Sequence, residues 1–188
     1  MARIPYREKS DLPPEHQDLL ARPITLHKAL VNSPGALRAF SALGQYIRHG
    51  SKLDPRLREM AILQVGYLAR SPYEWSHHVK IGRDFGVTDD DIRALIADTE
   101  GRPSALDAGV LDERTRTVLR AAREITTQGE ASADSFAALA RLFDTECLVD
   151  LTVTIAFYNA VVRVLATLKI DVEDEYQTYL RQFPLPNP

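Results

Sequence analysis

Only one cysteine, Cys147, occurs in the 188 residues. A single thiol excludes an intramolecular disulfide and any metal site built from cysteine alone. Charge of one sign is equally scarce. The formal net charge is −3, and no like-charged run is long enough to act as a nucleic-acid arm or an acidic tail. The opening segment, from Met1 to Glu8, has no apolar stretch behind its charges, so a secretory signal is not expected. The most apolar run, Leu151 to Val162, is bracketed by Asp150 and Arg163 and reads as too short to span a bilayer. Strand signals are nearly absent, and linkers and low-complexity stretches are lacking. These absences leave a soluble protein, expected in the cytoplasm.

What remains is helical grammar. A capping residue followed by proline recurs at Ser33-Pro34, Asp54-Pro55 and Ser71-Pro72. A side-chain oxygen at the cap satisfies an orphan N–H, and proline at the first helical position loses no hydrogen bond. Thr88 with Asp91, Asp112 with Thr115, and Ser132 mark further helix starts, and Gly86 suits a helix end. Helices are expected near 13–20, 23–31, 34–48, 55–69, 72–85, 89–98, 112–128, 133–143 and 146–169, with a last short one near 172–182. The run from Leu151 to Phe157 has strand propensity. Its continuation through Asn159, Arg163 and Leu168 without a turn residue favours a helix. Met60–Ala69 and Leu151–Leu168 read as apolar almost all round, as helices in the middle of a bundle or an oligomer do. Leu53-Asp54-Pro55-Arg56 and Leu111-Asp112-Glu113-Arg114 echo one another at an offset of 58, which suggests two related halves. The organisation expected is an all-α bundle: a proline-rich arm over 1–22, then one helical domain over 23–188.

Chemistry concentrates between Leu57 and Thr88. Glu59 lies in an apolar helix, and a buried carboxylate needs a partner. Arg58, its neighbour, is expected to point elsewhere. Ser71, Glu74 and His78 share one face of the next helix. If the two helices form a hairpin, Glu59 meets His78, and a carboxylate beside an imidazole orients the ring and raises its pKa. That is a general acid–base pair. The alternative is structural: Ser71-Pro72-Tyr73-Glu74 fits a capping box, which accounts for Ser71 and Glu74 without chemistry. His77 and His78 face about 100° apart, so one of them, His78 with Glu74, is expected to look into the site. Glu74 and His78 could chelate a metal at i, i+4, but no third ligand is apparent, and neither metal nor cofactor is expected.

These residues resemble the carboxymuconolactone decarboxylase / alkylhydroperoxidase D-like family. Its peroxidase branch carries a glutamate, then a cysteine twelve residues on, a second cysteine three later and a histidine four later. Here those places hold Glu59, Ser71, Glu74 and His78. Gly86-Val87-Thr88 with its acidic helix start, Tyr73-Glu74-Trp75, and Phe157-Tyr158-Asn159 followed by Arg163 extend the likeness over roughly 35–170. The resemblance implies an alkylhydroperoxidase D-like fold and a homo-oligomer: a dimer, trimer or hexamer. Peroxide reduction in the family needs the C-x-x-C pair, and serine with glutamate cannot replace it. The decarboxylase branch keeps only the glutamate and histidine. It implies a cofactor-free lyase or isomerase acting on a small carboxylated or lactone-like metabolite. His78, Glu59 and Glu74 would be catalytic. Ser71, Tyr73, Trp75, Tyr158, Asn159 and Arg163 would bind substrate. Arg163 would either anchor a substrate carboxylate or pair with Glu59, and the three aromatic residues would wall the pocket or fill the core. A thiol peroxidase and a non-catalytic ligand-binding oligomer are the competing readings. No membrane or nucleic-acid partner is expected.

Overall fold

The computed structural model describes residues 1–102 and 110–186, so residues 103–109 and 187–188 of the expected 23–188 domain lie outside it. Among the described residues every regular element is helical: α1 (Thr25–Leu30), α2 (Pro34–Gln45), α3 (Pro55–Leu68), α4 (Pro72–Asp84), α5 (Asp89–Thr99), α6 (Glu113–Gln128), α7 (Ala133–Leu142), α8 (Thr145–Leu168) and α9 (Gln177–Gln182).

Local sequence explains most boundaries. The carboxylates of Asp54 and Asp112 accept the N–H groups of Leu57 and Thr115, so the two echoed segments open α3 and α6 in the same way. Thr88 and Asp91 form a reciprocal capping box on α5, and Ser132 caps α7. Gly86, with φ of 90°, occupies the left-handed region beyond α4. Three expectations need correction. The segment near 13–20 is a 3-10 stretch, Pro14–Leu20, in line with its adjoining prolines. The helix expected to reach residue 48 loses α-helical form after Gln45 and continues as a π-turn, Tyr46–Gly50. The last helix is split into a 3-10 turn, Asp174–Tyr176, and α9.

α3 is the centre of the bundle. Every residue from Leu57 to Tyr67 is buried, and the helix packs against α4, α6 and α8. Gly66 allows α4 to approach. A Cβ there would sit 3.4 Å from the Trp75 nitrogen and 3.6 Å from the Glu74 side chain. Alanine therefore fits at van der Waals contact, whereas a branched side chain does not. Gly66→Val is expected to cost roughly 1–3 kcal/mol through overpacking and Gly66→Ala to cost little, as read by urea denaturation. Equal costs for the two would remove the steric argument.

α8 differs from its expected all-round burial. Its inner face, including Leu151, Ile155, Tyr158, Val162 and Leu165, joins the core. Its outer face is open: Thr152, Ala156, Ala160 and Thr167 are exposed, and Val149 is 55% exposed. The helix has the expected length, 24 residues, and by length and composition it could cross a membrane, a test that a buried core helix also passes. The arm lies along the end of α8, where Arg3 N–H donates to the Leu168 carbonyl at 2.8 Å and the N-terminal ammonium pairs with Asp171 at 2.9 Å.

Candidate active site

The α3–α4 hairpin brings Glu59 against His78. The ring's Nδ1–H donates to Glu59 Oε2 at 2.6 Å. On the other side, Nε2 lies 3.0 Å from Glu74 Oε1, too poorly aligned for a hydrogen bond, so that buried oxygen has no hydrogen-bond partner. All three residues are at most 4% exposed. Burial by itself would depress the His78 pKa. The two carboxylates outweigh it and push the ring up to about 9, so His78 is an imidazolium at neutral pH. Burial would likewise raise Glu59, but the charges and hydrogen bonds of His78 and Arg58 hold it below the usual carboxylate range.

Arg58 corrects an expectation. It does not point away: its Nε–H donates to Glu59 Oε1 at 3.0 Å, and its guanidinium lies 4.5 Å from the centre of the Phe85 ring. A second N–H donates to the Arg48 carbonyl at 3.1 Å. Glu59 thus sits between two cations, which explains how a carboxylate survives in the core. Since both ring nitrogens of His78 face carboxylates, neither is free for a cation. Among the described residues no group of three histidine, cysteine or carboxylate side chains is arranged to hold a metal ion.

His78 and Glu74, but not Glu59, line a cavity of about 120 Å³. Its buried wall carries Tyr73, Glu74, His77, His78 and Tyr158, and its more exposed side carries Arg22, His27, Gln45 and Arg48. Both histidines line it, contrary to the expectation that only one would. His77 is stacked between Tyr73 (4.1 Å) and Tyr176 (3.6 Å), and its Nε2–H donates to Glu173 at 2.8 Å. Burial lowers the His77 pKa against the pull of Glu173. Burial would raise Glu173, but donors from His77 and Thr25 bring it down to about 2. The adjacent histidines therefore stand in opposite protonation states.

The substrate-binding candidates divide. Tyr73 and Tyr158 reach the cavity, and Tyr158 meets His78 edge-on at 5.0 Å. Trp75 does not: it packs in the core with Tyr67, Val79 and Leu95, its indole N–H donating to the Phe183 carbonyl at 2.7 Å. Ser71 heads α4 without a side-chain cap bond, its own N–H donates to the Gly66 carbonyl at 3.0 Å, and Glu74 pairs with His78, so the expected capping box is not formed. Ser71 lines a different cavity beside Arg70 and Lys169. Asn159 is committed to Thr126 and the Ile155 carbonyl. Arg163 lies on the open face of α8, bonded to Asn159, and neither pairs with Glu59 nor lines the cavity.

Sequence reasoning missed Arg22, His27, Arg48, His77 and Glu173 as parts of this region. Arg48 is delivered by the π-turn, which Asp150 fastens by accepting from the Tyr46 hydroxyl (2.8 Å) and the Ser51 hydroxyl (2.7 Å). Local departures from α-helix of this kind are frequent at functional sites.

A helical hairpin that buries a histidine between two glutamates, inside an otherwise apolar bundle, defines the class: an all-α protein of alkylhydroperoxidase D-like fold. Over residues 34–101, which hold the hairpin, the chain matches the model of the carboxymuconolactone decarboxylase family. Solved structures agree on the fold. The alkylhydroperoxidase AhpD core of a peroxidase-related protein from Ralstonia eutropha JMP134 superposes with a TM-score of 0.73 at 21% identity, over 95% of each chain. A peroxidase-related protein from Silicibacter sp. TM1040 gives 0.71 at 22%, over 93% of this chain and 92% of the other. The debrominase Bmp8, in a cysteine-to-alanine form in complex with 2,3,4-tribromopyrrole, gives 0.76 at 19%, over 97% of each. No curated protein sequence matches this one.

Proposed function

We propose that this chain is a cofactor-free acid–base enzyme, a lyase or isomerase acting on a small carboxylated or lactone-like metabolite. The observation that carries this reading is the buried His78 imidazolium held between Glu59 and Glu74 at the wall of a small cavity. A cation fixed in that way can donate a proton or a hydrogen bond to a developing oxyanion. Glu74 Oε1, paired by charge with His78 but without a hydrogen bond, can accept from a bound substrate. The complex named for Bmp8 pairs the same fold with a small ring compound, which accords with a small substrate.

Thiol peroxidase activity is disfavoured by the position of the only thiol. Cys147 sits in the first turn of α8 and lines none of the cavities described above. Burial and the facing Asp144 raise its pKa, the opposite of what a peroxidatic thiolate needs. A homo-oligomer is part of the proposal. The open face of α8, with Leu43 and Tyr46 also exposed, offers apolar surface of the kind a second copy covers. A cytoplasmic setting, in which a lone thiol stays reduced, completes it.

The test pairs two assays. Hydroperoxide consumption with a dithiol reductant is expected to be absent in both the wild type and Cys147→Ser. Solvent-deuterium exchange into a panel of lactones and β-keto acids is expected in both proteins. Peroxide turnover that disappears with Cys147→Ser would overturn the acid–base reading.

A further inference from the structure

Charge is unevenly placed around the cavity. The buried wall holds Glu74 and His78, and the more exposed side holds Arg22 and Arg48. Among the described residues no carboxylate pairs with either guanidinium, although acidic residues outnumber basic ones in the chain. Their joint presence is felt by His27, whose Nδ1–H donates to the Arg22 carbonyl at 3.0 Å. Burial lowers its pKa, and the two cations lower it further. Two cations without a carboxylate, beside a neutral histidine and facing one small cavity, repel each other until an anion arrives.

Tyr158 lies beside both ends. Its ring meets His78 edge-on at 5.0 Å, and it lines the same cavity as Arg48. At the far end, Glu74 Oε1 is buried and without a hydrogen-bond partner, although Glu74 lines the cavity. The cavity therefore asks for a donor at one end and an anion at the other.

We propose that the cavity binds a small carboxylate with its anionic group on Arg22 and Arg48 and its acidic C–H at Glu74, and that the reaction is a proton shift in which the carboxylate is retained. This rests on the acid–base reading above and chooses between its two branches. Loss of CO2 from a carboxylate clamped by guanidinium would give up that pairing as the transition state forms, so the clamp would stabilise the ground state and oppose the reaction. A proton shift leaves the clamp intact throughout. Glu74 Oε1 takes the proton α to a carbonyl, and the C–H electron pair moves into a new C=C bond as the carbonyl pair moves onto oxygen. The His78 Nε2–H, no longer drawn to an ionised Glu74, donates a hydrogen bond to that oxygen. Glu74 then returns its proton to the γ-carbon of an unsaturated substrate. Substrate and product are isomers, and no co-reactant is consumed.

Binding is tested first, without turnover, by titrating benzoate and benzamide and following heat or NMR shifts. Benzoate is expected to bind at least roughly tenfold more tightly than benzamide, and Arg48→Gln or Arg22→Gln is expected to erase most of that difference. Equal affinities, or no binding of benzoate to the wild type, would overturn the clamp. The second arm offers a β,γ-unsaturated lactone carrying a 13C-labelled carboxylate, in D2O. Deuterated isomer with the label retained is the expected result. Labelled CO2 released in a His78-dependent reaction would overturn carboxylate retention while leaving the acid–base reading in place. Loss of exchange with binding intact would count against that reading instead.

Discussion

His78→Gln is expected to lower kcat/KM by roughly two to four orders of magnitude, the usual worth of a positioned acid–base group. Glutamine retains a side-chain N–H for Glu59 but carries no positive charge to stabilise a developing oxyanion on the substrate. The pH profile separates chemistry from architecture. His78 has a folded pKa raised from 6.5 to about 9, so its protonated form is complete at neutral pH and is lost as pH rises through that value. Wild-type activity should therefore fall on the alkaline side near pH 9. The residual activity of His78→Gln should lack that limb. If both proteins show the same alkaline limb, the imidazolium does not act on the substrate. Removing the cation also leaves Glu59 and Glu74 as buried carboxylates with one counter-charge fewer. Circular dichroism at the assay temperature must show the variant folded before its rate is compared.

What could be read from the sequence was what local chemistry decides. Asp54, Asp112, Thr88 and Ser132 cap helices in the expected places because a cap needs only its own next three residues. The Glu59–His78 contact was legible because two short elements joined by a tight turn leave few ways to pack their buried polar groups. Ser71 shows the limit of a local rule. The capping box needs the Glu74 side chain to bend back, and the imidazolium one turn onward offers that carboxylate a charge instead. Arg58 shows another. By helical position it faces away from Glu59, but its long side chain turns back within the core to a charge that burial makes costly to leave alone.

The rest of the site comes from distant pieces of chain that no spacing rule joins. Glu173 reaches His77 from 96 positions away, across the turn after α8. Arg48 arrives through a π-turn whose anchor, Asp150, belongs to another helix. Arg163 looked suitable because of its face on α8. That face is the one turned away from the hairpin, and Asn159 one turn earlier has already engaged it. A helix that reads as apolar all round does not say which side meets its own bundle.

Glu59→Gln is expected to bring the largest loss of stability, because it strands two cations. Arg58 and His78 are 2% and 4% exposed and both lean on this carboxylate. Removing one partner of a buried ion pair costs about 3–5 kcal/mol, since the remaining charge stays desolvated without compensation. For a chain of this length that is roughly a 10 °C fall in Tm. The pH dependence carries the sign. His78 is raised in the fold, so its contribution is complete below its ordinary value of 6.5 and fades as pH climbs through about 9. Glu59 is lowered, so its contribution is present above its ordinary 4.5 and fades as pH falls through its depressed value. The difference in Tm between the wild type and Glu59→Gln should therefore be widest between these limits, near pH 6. It should narrow toward pH 10, where His78 is neutral and only Arg58 remains to be paired. A gap that stays constant from pH 6 to 10 would mean that packing around Glu59, rather than the charge on His78, holds the hairpin together. The proton placed on the ring would then have to be reassigned before any mechanism is built on it.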